Sequence, residues 1–293
     1  MRLATIRRDG REEAAIVLSQ GVLPLAALNA RQRLAWPGDI LSLLAGGHVG
    51  RLNHWFRSGG RETCEALGDD ILGLSAVKFG PLYRRPRKIW GIGLNYVAHA
   101  ADLAEKAPNE EPASFMKPDT TIVGPGDEIL IPRQSEKTTG EAELGIIFGP
   151  EGKDVSESNW LSCVAGFTTI LDMTAEDILR KNPRYLTRSK SFDTFFSFGP
   201  QLVTPDEIPD VLSLKVATVV NGKVHAENTV SNMTFPPPYL VSFHSRVMPW
   251  LPGDILSTGT PQAAPLRDGD VLECRIDGFE PLRNPVRDLK VKS

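Results

Sequence analysis

Three acidic side chains far apart in the sequence have the chemistry of a metal site. Glu141 and Glu143 are two residues apart at the start of the apolar run LGIIFG, and Asp172 ends the run VAGFTTIL. A spacing of two places both glutamates on one face of a β-strand. Like charges that close require a cation or a raised pKa. Three carboxylates suit a hard divalent ion, so we expect Mg2+, with Mn2+ or Ca2+ as substitutes. The spacing alone also fits an alternative interpretation, in which the two glutamates lie at a solvated strand end and Asp172 caps a helix.

A second pair of residues has the chemistry of a general base. His99 and Asp102 are three residues apart in NYVAHAADLAE. On a helix they share a face, where the carboxylate orients the imidazole to take a proton from water. A surface helical pair without a catalytic role is the alternative interpretation.

Two further segments have donors for a negative charge. Lys190 lies among serines and phenylalanines in TRSKSFDTFFSFGP, where it either stabilises a developing anion or snorkels out of an apolar patch. The turn LPGDILSTGTP offers the Thr258 and Thr260 hydroxyls and backbone N–H groups, including that of Gly259, to an oxyanion or a carboxylate. Alone, that sequence predicts only a turn.

The elements that would position these residues are mainly short strands. Gly and Pro separate short apolar runs throughout, and Asn221-Gly222 is the strongest hairpin signal. Residues 1–20 are predicted to form a hairpin around Asp9-Gly10. We predict helices over 39–45 with Asp39 as N-cap, 49–57, 97–106 and 175–181. The proline-broken segment 81–88 divides a small N-terminal domain, 1–80, from a β-rich domain, 86–293.

Composition excludes several classes of protein. The chain has 293 residues, a net charge of −3, 41% hydrophobic and 24% charged residues, as in soluble globular proteins. It has no basic patch for nucleic acid and no run long enough to span a membrane. The first residues do not resemble a secretory signal, and three scattered cysteines favour a reducing compartment. We therefore expect a cytoplasmic enzyme with a small-molecule substrate.

Taken in order, these motifs resemble those of the fumarylacetoacetate hydrolase family. The resemblance spans about residues 86–285 and is specific in combination, although each motif alone is weak. The segments that carry it are GLNYVAHAAD, SFMKPDTTIVGPGDEILIP, GEAELGIIFG, VAGFTTILDMTAED, SKSFDTFFSFGPQLVT, VVNGK and LPGDILSTGTP.

The resemblance implies an α+β, β-rich fold in which a mixed β-sandwich or roll forms the catalytic domain, next to a small N-terminal α/β domain. It implies a homodimer whose metal is bound by Glu141, Glu143 and Asp172. Water activation would fall to His99 and Asp102, although Asp is one methylene shorter than the Glu of the family, and anion stabilisation would fall to Lys190. We assign substrate binding to these residues: Tyr96, Lys117, Glu176, Leu179, Thr258, Gly259 and Thr260.

The implied activity is hydrolysis of a carbon–carbon bond in a 1,3-dicarbonyl compound, such as a diketo acid, through an enolate that the metal stabilises. Oxaloacetate-type decarboxylation and isomerisation or hydration of a dienol acid are alternatives on the same scaffold. A metal-dependent binding protein without turnover is an alternative of another class.

The chain departs from the family at the substrate's carboxylate site. Members that act on acylpyruvates carry Arg and Gln where this sequence has Glu176 and Leu179. We therefore expect a substrate that either lacks a carboxylate at that end or presents hydroxyl groups to Glu176, unless Arg180 or Arg188 replaces the missing cation. The alternative is that Glu176 is only an acidic residue at a helix N-terminus, favoured by the helix dipole.

Overall fold

Apolar runs with many β-branched and aromatic residues form two β-sheets, which are separated by glycine- and proline-containing turns. The computed structural model describes residues 1–96 and 110–291. Within these ranges the fold is mixed α/β and sheet-rich, as predicted. No helix of the described ranges is both long enough and apolar enough to cross a membrane.

In the part of the chain that the structure describes, the larger sheet has 13 strands, with the central order β3-β2-β1-β12-β10-β9-β15-β5-β6. Its strands are β1 (Arg2–Arg8), β2 (Arg11–Leu18), β3 (Gly21–Pro24), β4 (Lys78–Phe79), β5 (Ile89–Gly93), β6 (Ala113–Lys117), β7 (Ile122–Val123), β9 (Thr138–Phe148), β10 (Val164–Ala175), β11 (Phe196–Phe198), β12 (Gln201–Val203), β15 (Ile255–Ser257) and β16 (Ala264–Pro265).

The smaller sheet has five strands in the order β14-β13-β17-β18-β8. They are β8 (Ile129–Ile131), β13 (Lys215–Val220), β14 (Lys223–Thr229), β17 (Val271–Ile276) and β18 (Leu282–Asp288). The α-helices of the described ranges are α1 (Leu25–Gln32), α2 (Ile40–Ala45), α3 (His48–Trp55), α4 (Arg61–Glu65), α5 (Glu176–Lys181), α6 (Leu186–Lys190) and α7 (Pro237–Val247).

The two predicted hairpins are confirmed. β1 pairs antiparallel with β2, and β13 with β14. The turn residues Asp9 and Gly10 have φ values of 50° and 73°, and Asn221 and Gly222 have values of 51° and 77°. Asn, Asp and Gly tolerate this left-handed backbone best, which is why these dipeptides predict tight hairpins.

The antiparallel pair β9–β10 positions the acidic residues. Alternate residues of β9, including Ala142, Leu144 and Ile146, join the apolar core that also contains residues of β13, β17 and β18. Because side chains alternate along a strand, Glu141 and Glu143 lie on the opposite face of β9. Gly140 shows how closely the sheets pack, since a Cβ added there would lie 2.3 Å from a methyl carbon of Leu272.

The N-terminal residues extend the same large sheet, because β1 pairs with β12. Side chains from α1, α2 and α3 share one apolar cluster with Ile147 of β9, Ile170 of β10 and Ile255 of β15. The division into domains 1–80 and 86–293 stays a prediction.

Three of the predicted helices are confirmed, as α2, α3 and α5. Asp39 caps α2 as predicted, because its side chain accepts a 2.8 Å hydrogen bond from the backbone N–H of Ser42. The helix predicted over 97–106 lies wholly outside the described ranges. The sequence did not predict α7, and Asp172 is not a helix cap, because β10 continues through it to Ala175.

Candidate metal centre

The acidic residues lie on neighbouring strands in register. Asp172 on β10 is directly opposite Glu141 on β9, and Glu143 follows Glu141 two residues later on the same face. Directly opposed side chains in an antiparallel pair have Cβ atoms about 5 Å apart. The strand period predicted from the sequence therefore brings all three carboxylates together.

The three carboxylates form a compact, buried donor set. One oxygen from each of Glu141, Glu143 and Asp172 lies within 4.8 Å of the others, and all three residues are buried. Burial, followed by the charges of Asp172 and Glu141, raises the pKa of Glu143 to about 8. A divalent cation would remove the repulsion that raises this pKa, and three carboxylate oxygens are the donors that Mg2+, Mn2+ and Ca2+ prefer. The residues therefore fit such an ion.

Two buried lysines partly neutralise the carboxylates. Lys190 Nζ donates 2.8 Å hydrogen bonds to Glu141 Oε2 and Asp172 Oδ2. Lys117 Nζ donates to the other oxygen of Asp172 at 2.5 Å. With all three carboxylates ionised, as metal binding requires, they exceed the two ammonium groups by one negative charge. The cluster thus retains a net attraction for a cation.

The two lysines differ in their surroundings. Burial lowers the pKa of Lys117 to about 8, although Asp172 opposes this effect. Burial would also lower the pKa of Lys190, but the charges of Asp172, Glu141 and Glu143 together outweigh it and raise that pKa. Lys190 lies 4.7 Å from the ring centre of Phe115, and both side chains line a cavity. Lys190 is therefore the ammonium group that faces the cavity.

The Thr-Gly-Thr turn orients one of the carboxylates. Glu143 Oε2 accepts hydrogen bonds from the Gly259 N–H at 2.7 Å and from Ser257 Oγ at 2.6 Å. Thr258 Oγ1 donates to the backbone carbonyl of Leu144 at 2.8 Å. The predicted donor turn thus holds a carboxylate, and this carboxylate belongs to the protein itself. Thr260 lines the cavity.

The cavity next to the carboxylates has a volume of about 240 Å³. Besides Glu141, four predicted site residues contribute to its lining: Glu176, Leu179, Lys190 and Thr260. The described residues that line it are Ile92, Gly93, Leu94, Ala113, Phe115, Thr139, Glu141, Thr174, Glu176, Leu179, Pro183, Leu186, Lys190, Thr260 and Ala263.

Glu176 opens helix α5 and is ion-paired. Its Oε1 accepts hydrogen bonds from Lys137 Nζ at 2.8 Å and from Arg180 Nε at 2.6 Å. Its position at the helix N-terminus fits the interpretation that the helix dipole favours an acidic residue there. The two cations stabilise the same carboxylate further. Arg180 therefore binds Glu176 in this structure, and its guanidinium is not directed at a free site.

Three other predictions concern the edge of the site. The Tyr96 hydroxyl is buried with no hydrogen-bond partner among the described residues, and burial, then Glu143, raises its pKa. Its role in substrate binding stays a prediction. His99 and Asp102 lie outside the described residues, so the water-activating pair also stays a prediction.

Sequence reasoning missed several residues that the structure brings to the site. Thr139 and Thr174 are cross-strand partners that line the cavity, and Phe115 contacts Lys190. Thr139 had a readable signal, because it continues the spacing of two through Glu141 and Glu143. Ser257 could not be found in this way, since its bond to Glu143 spans 114 positions.

Comparison with known proteins identifies the family. Residues 88–287 match the family described as fumarylacetoacetate (FAA) hydrolase C-terminal. The chain belongs to this family. The resemblance carried by the sequence motifs is thereby confirmed, and so is the fold class that it implied.

Members of this family that are similar to the chain differ in chemistry. A protein of Archaeoglobus fulgidus with no described function is 42% identical over 212 residues, which are 72% of this chain and 82% of that protein. Human mitochondrial oxaloacetate tautomerase FAHD2A is 35% identical over 225 residues, or 74% of this chain and 71% of that protein. The structure of maleylpyruvate hydrolase from Sphingobium sp. SYK-6 with manganese(II) and pyruvate has a TM-score of 0.77 and 26% identity, covering 98% of this chain and 99% of that one.

Proposed function

We propose that this protein is a divalent-metal-dependent hydrolase that cleaves a carbon–carbon bond in a 1,3-dicarbonyl substrate such as a 2,4-dioxo acid. The observation that carries the proposal is the convergence of Glu141, Glu143 and Asp172 beside a cavity that Lys190 also lines. Burial makes such a cluster costly for folding, and functional sites are where proteins retain such costs.

The three carboxylates would hold the metal, and the surrounding donors would fix their orientation. Ser257 and the Gly259 N–H direct Glu143, while Lys117 directs Asp172. When bound, a divalent cation supplies Lewis-acid stabilisation of negative charge on the substrate's oxygens. Groups that orient metal ligands in this way typically affect metal affinity by about 10–100-fold.

Lys190 has the position of an anion-stabilising residue. Its ammonium group is held by Glu141 and Asp172 on one side and faces the cavity on the other. A positive charge fixed in a water-poor site stabilises negative charge that develops on a carbonyl oxygen when water adds. We propose His99 with Asp102 as the base that takes the proton from that water.

Tautomerisation of oxaloacetate is a second candidate, favoured by the 35% identity to human oxaloacetate tautomerase FAHD2A. This reaction moves a proton without adding water, and it would use the same metal ligands. The ion-paired Glu176 and the aliphatic Leu179 beside it disfavour this small dicarboxylate, because neither offers a cation for the second carboxylate.

Product analysis separates the two candidates. A 2,4-dioxo acid and oxaloacetate are each incubated with the purified protein and Mg2+ or Mn2+, and products are quantified by chromatography. Hydrolysis consumes one water and releases pyruvate and a carboxylic acid in equal amounts, whereas tautomerisation changes only the keto–enol ratio. Metal-dependent release of both products supports the hydrolase. Accelerated keto–enol exchange without products supports the tautomerase, and no effect on either compound contradicts both.

A further inference from the structure

The side chains beside the cavity follow one another along β9 and β10, and their succession defines two ends of the cavity. On the shared face of β9 and β10, Glu143 is followed by the pair Glu141 and Asp172, and then by the pair Thr139 and Thr174. Each step of two residues advances about 6.7 Å along a strand. Helix α5 begins directly after β10, so its residues lie beyond the threonines, at the end remote from Glu143.

Aliphatic side chains line this remote end. Leu179 lies one helical turn after Glu176 on α5, and Leu186 lies one turn before Lys190 on α6. Pro183, between the two helices, also lines the cavity. The remaining apolar lining comes from Ile92, Leu94, Ala113, Phe115 and Ala263. An uncharged hydrocarbon group would bury its surface against this wall at no electrostatic cost.

Two of the cations near this end are paired with Glu176, and neither Arg184 nor Arg188 is among the residues that line the cavity. Lys137 and Arg180 both donate to Glu176 Oε1, and Lys190 donates to Glu141 and Asp172. Lys190 is the basic residue among the described residues that line the cavity, and it belongs to the carboxylate end. Among the described residues, a second carboxylate on a ligand would therefore be desolvated beside Glu176 without a cation of its own.

We propose that the substrate is a 2-oxo or 2,4-dioxo acid whose distal end is an uncharged, apolar group, and that Leu179 and Leu186 select for it. This inference rests on the proposed function, because the keto acid end is placed at the carboxylate cluster. It narrows the substrate class, since it excludes dicarboxylic substrates of similar length. The apolar wall also disfavours a polyhydroxylated distal end, because the side chains of Leu179, Leu186 and Pro183 offer hydroxyl groups no hydrogen-bond partner.

A pair of non-reacting probes tests the inference by binding alone. 4-Methyl-2-oxopentanoate and 2-oxoglutarate share the 2-oxo acid group and differ at the distal end, which is isopropyl-like in one and a carboxylate in the other. Their dissociation constants are measured by isothermal titration calorimetry with the Mn2+-loaded protein. We expect the branched acid to bind at least ~10-fold more tightly, the discrimination that an apolar pocket achieves for such groups.

Leu179→Arg tests the residue assignment. A guanidinium at this position should reverse the preference, because it supplies the cation that a distal carboxylate lacks. The matched control is Leu161→Arg, which introduces the same charge at an exposed leucine outside the cavity and should leave the preference unchanged. Unfolding of the Leu179→Arg protein would be detected by circular dichroism, and Leu186→Arg then replaces it as the test.

The outcomes distinguish this inference from the proposed function. Equal or tighter binding of 2-oxoglutarate overturns the inference, whatever reaction the protein catalyses. Tighter binding of the branched acid without release of products from any 2,4-dioxo acid supports the inference and contradicts the hydrolase. No binding of either probe to the Mn2+-loaded protein overturns both.

Discussion

Glu141 and Asp172 are directly opposed across β9 and β10, with the Lys190 ammonium hydrogen-bonded to both at 2.8 Å. Like charges directly opposite each other destabilise a sheet, and burial increases that cost. Lys190 and Lys117 offset the repulsion only in part, because Glu143 adds a third carboxylate to the same face. The cluster is therefore an arrangement that a divalent cation would stabilise.

Removal of one carboxylate should abolish metal binding and turnover together. Asp172→Asn keeps the shape of the side chain but removes a charge and a strong ligand, so we expect metal affinity to fall by at least ~100-fold. Calorimetric titration with Mn2+ measures the affinity, and product release measures turnover. Glu151→Gln, at an exposed position outside the cluster, should change neither. Retention of metal affinity in Asp172→Asn would contradict the ligand assignment.

Lys190→Met should separate catalysis from metal binding. The variant leaves Glu141 and Asp172 without their shared cation, which should lower the free energy of unfolding of the metal-free protein by about 3–5 kcal/mol. Added Mn2+ should restore more stability to this variant than to the wild type, because more negative charge remains. Turnover with metal should fall by about 100–1000-fold. Thermal unfolding and steady-state kinetics test these expectations, and a full catalytic rate would remove Lys190 from the mechanism.

Gly259→Ala should disturb the orientation of Glu143. Gly259 has a φ of +98°, and a Cβ there would lie 2.7 Å from the Asn95 Cβ, so the N–H that donates to Glu143 must move. We expect a loss of metal affinity of about 10-fold or more. Gly269→Ala is the matched control, since Gly269 has a φ of +79° and no atom within 4 Å of the added Cβ. It should cost about 1–2 kcal/mol of stability without changing metal affinity. Equal effects of both variants on the affinity would refute the orienting role.

His244 should make the protein sensitive to acid independently of the metal. This histidine is buried between Trp90 and Trp250, its Nε2 has no partner among the described residues, and burial lowers its pKa to about 4. Because the folded-state pKa lies below the unfolded value of about 6.5, its contribution is complete above pH 6.5 and is lost as the pH falls towards 4. The loss should reach about 3 kcal/mol.

His244→Phe should flatten the dependence of the unfolding free energy on pH between about 6.5 and 4, as measured by urea denaturation. His54→Gln is the control, because His54 is exposed on α3 and its replacement should leave the slope unchanged. An unchanged slope in His244→Phe would show that other groups cause the acid sensitivity.

The sequence predicted the elements that depend on local chemistry. The hairpins at Asp9-Gly10 and Asn221-Gly222 follow from residues that tolerate positive φ. The shared face of Glu141 and Glu143 follows from the period of a strand. Helix α7 was missed because three consecutive prolines, 236–238, indicate a helix break, whereas Pro is tolerated in the first turn of a helix.

The rest depends on contacts between distant segments. The ion pair of Lys117 with Asp172 requires β6 and β10 to meet in one fold, and the pair of Glu176 with Lys137 requires the residue before β9 to lie beside the end of β10. No periodicity encodes such contacts. The pair His99 and Asp102, the domain division and the homodimer stay predictions.

The assignment of Glu141, Glu143 and Asp172 as metal ligands is tested by a crystal structure of the protein grown with Mn2+, with anomalous scattering recorded near the manganese edge. We predict one strong peak per chain, with one oxygen each of Glu141, Glu143 and Asp172 about 2.1–2.3 Å away. A fully folded protein that shows no peak at these carboxylates at saturating Mn2+, or a peak bound by other residues, would contradict the account.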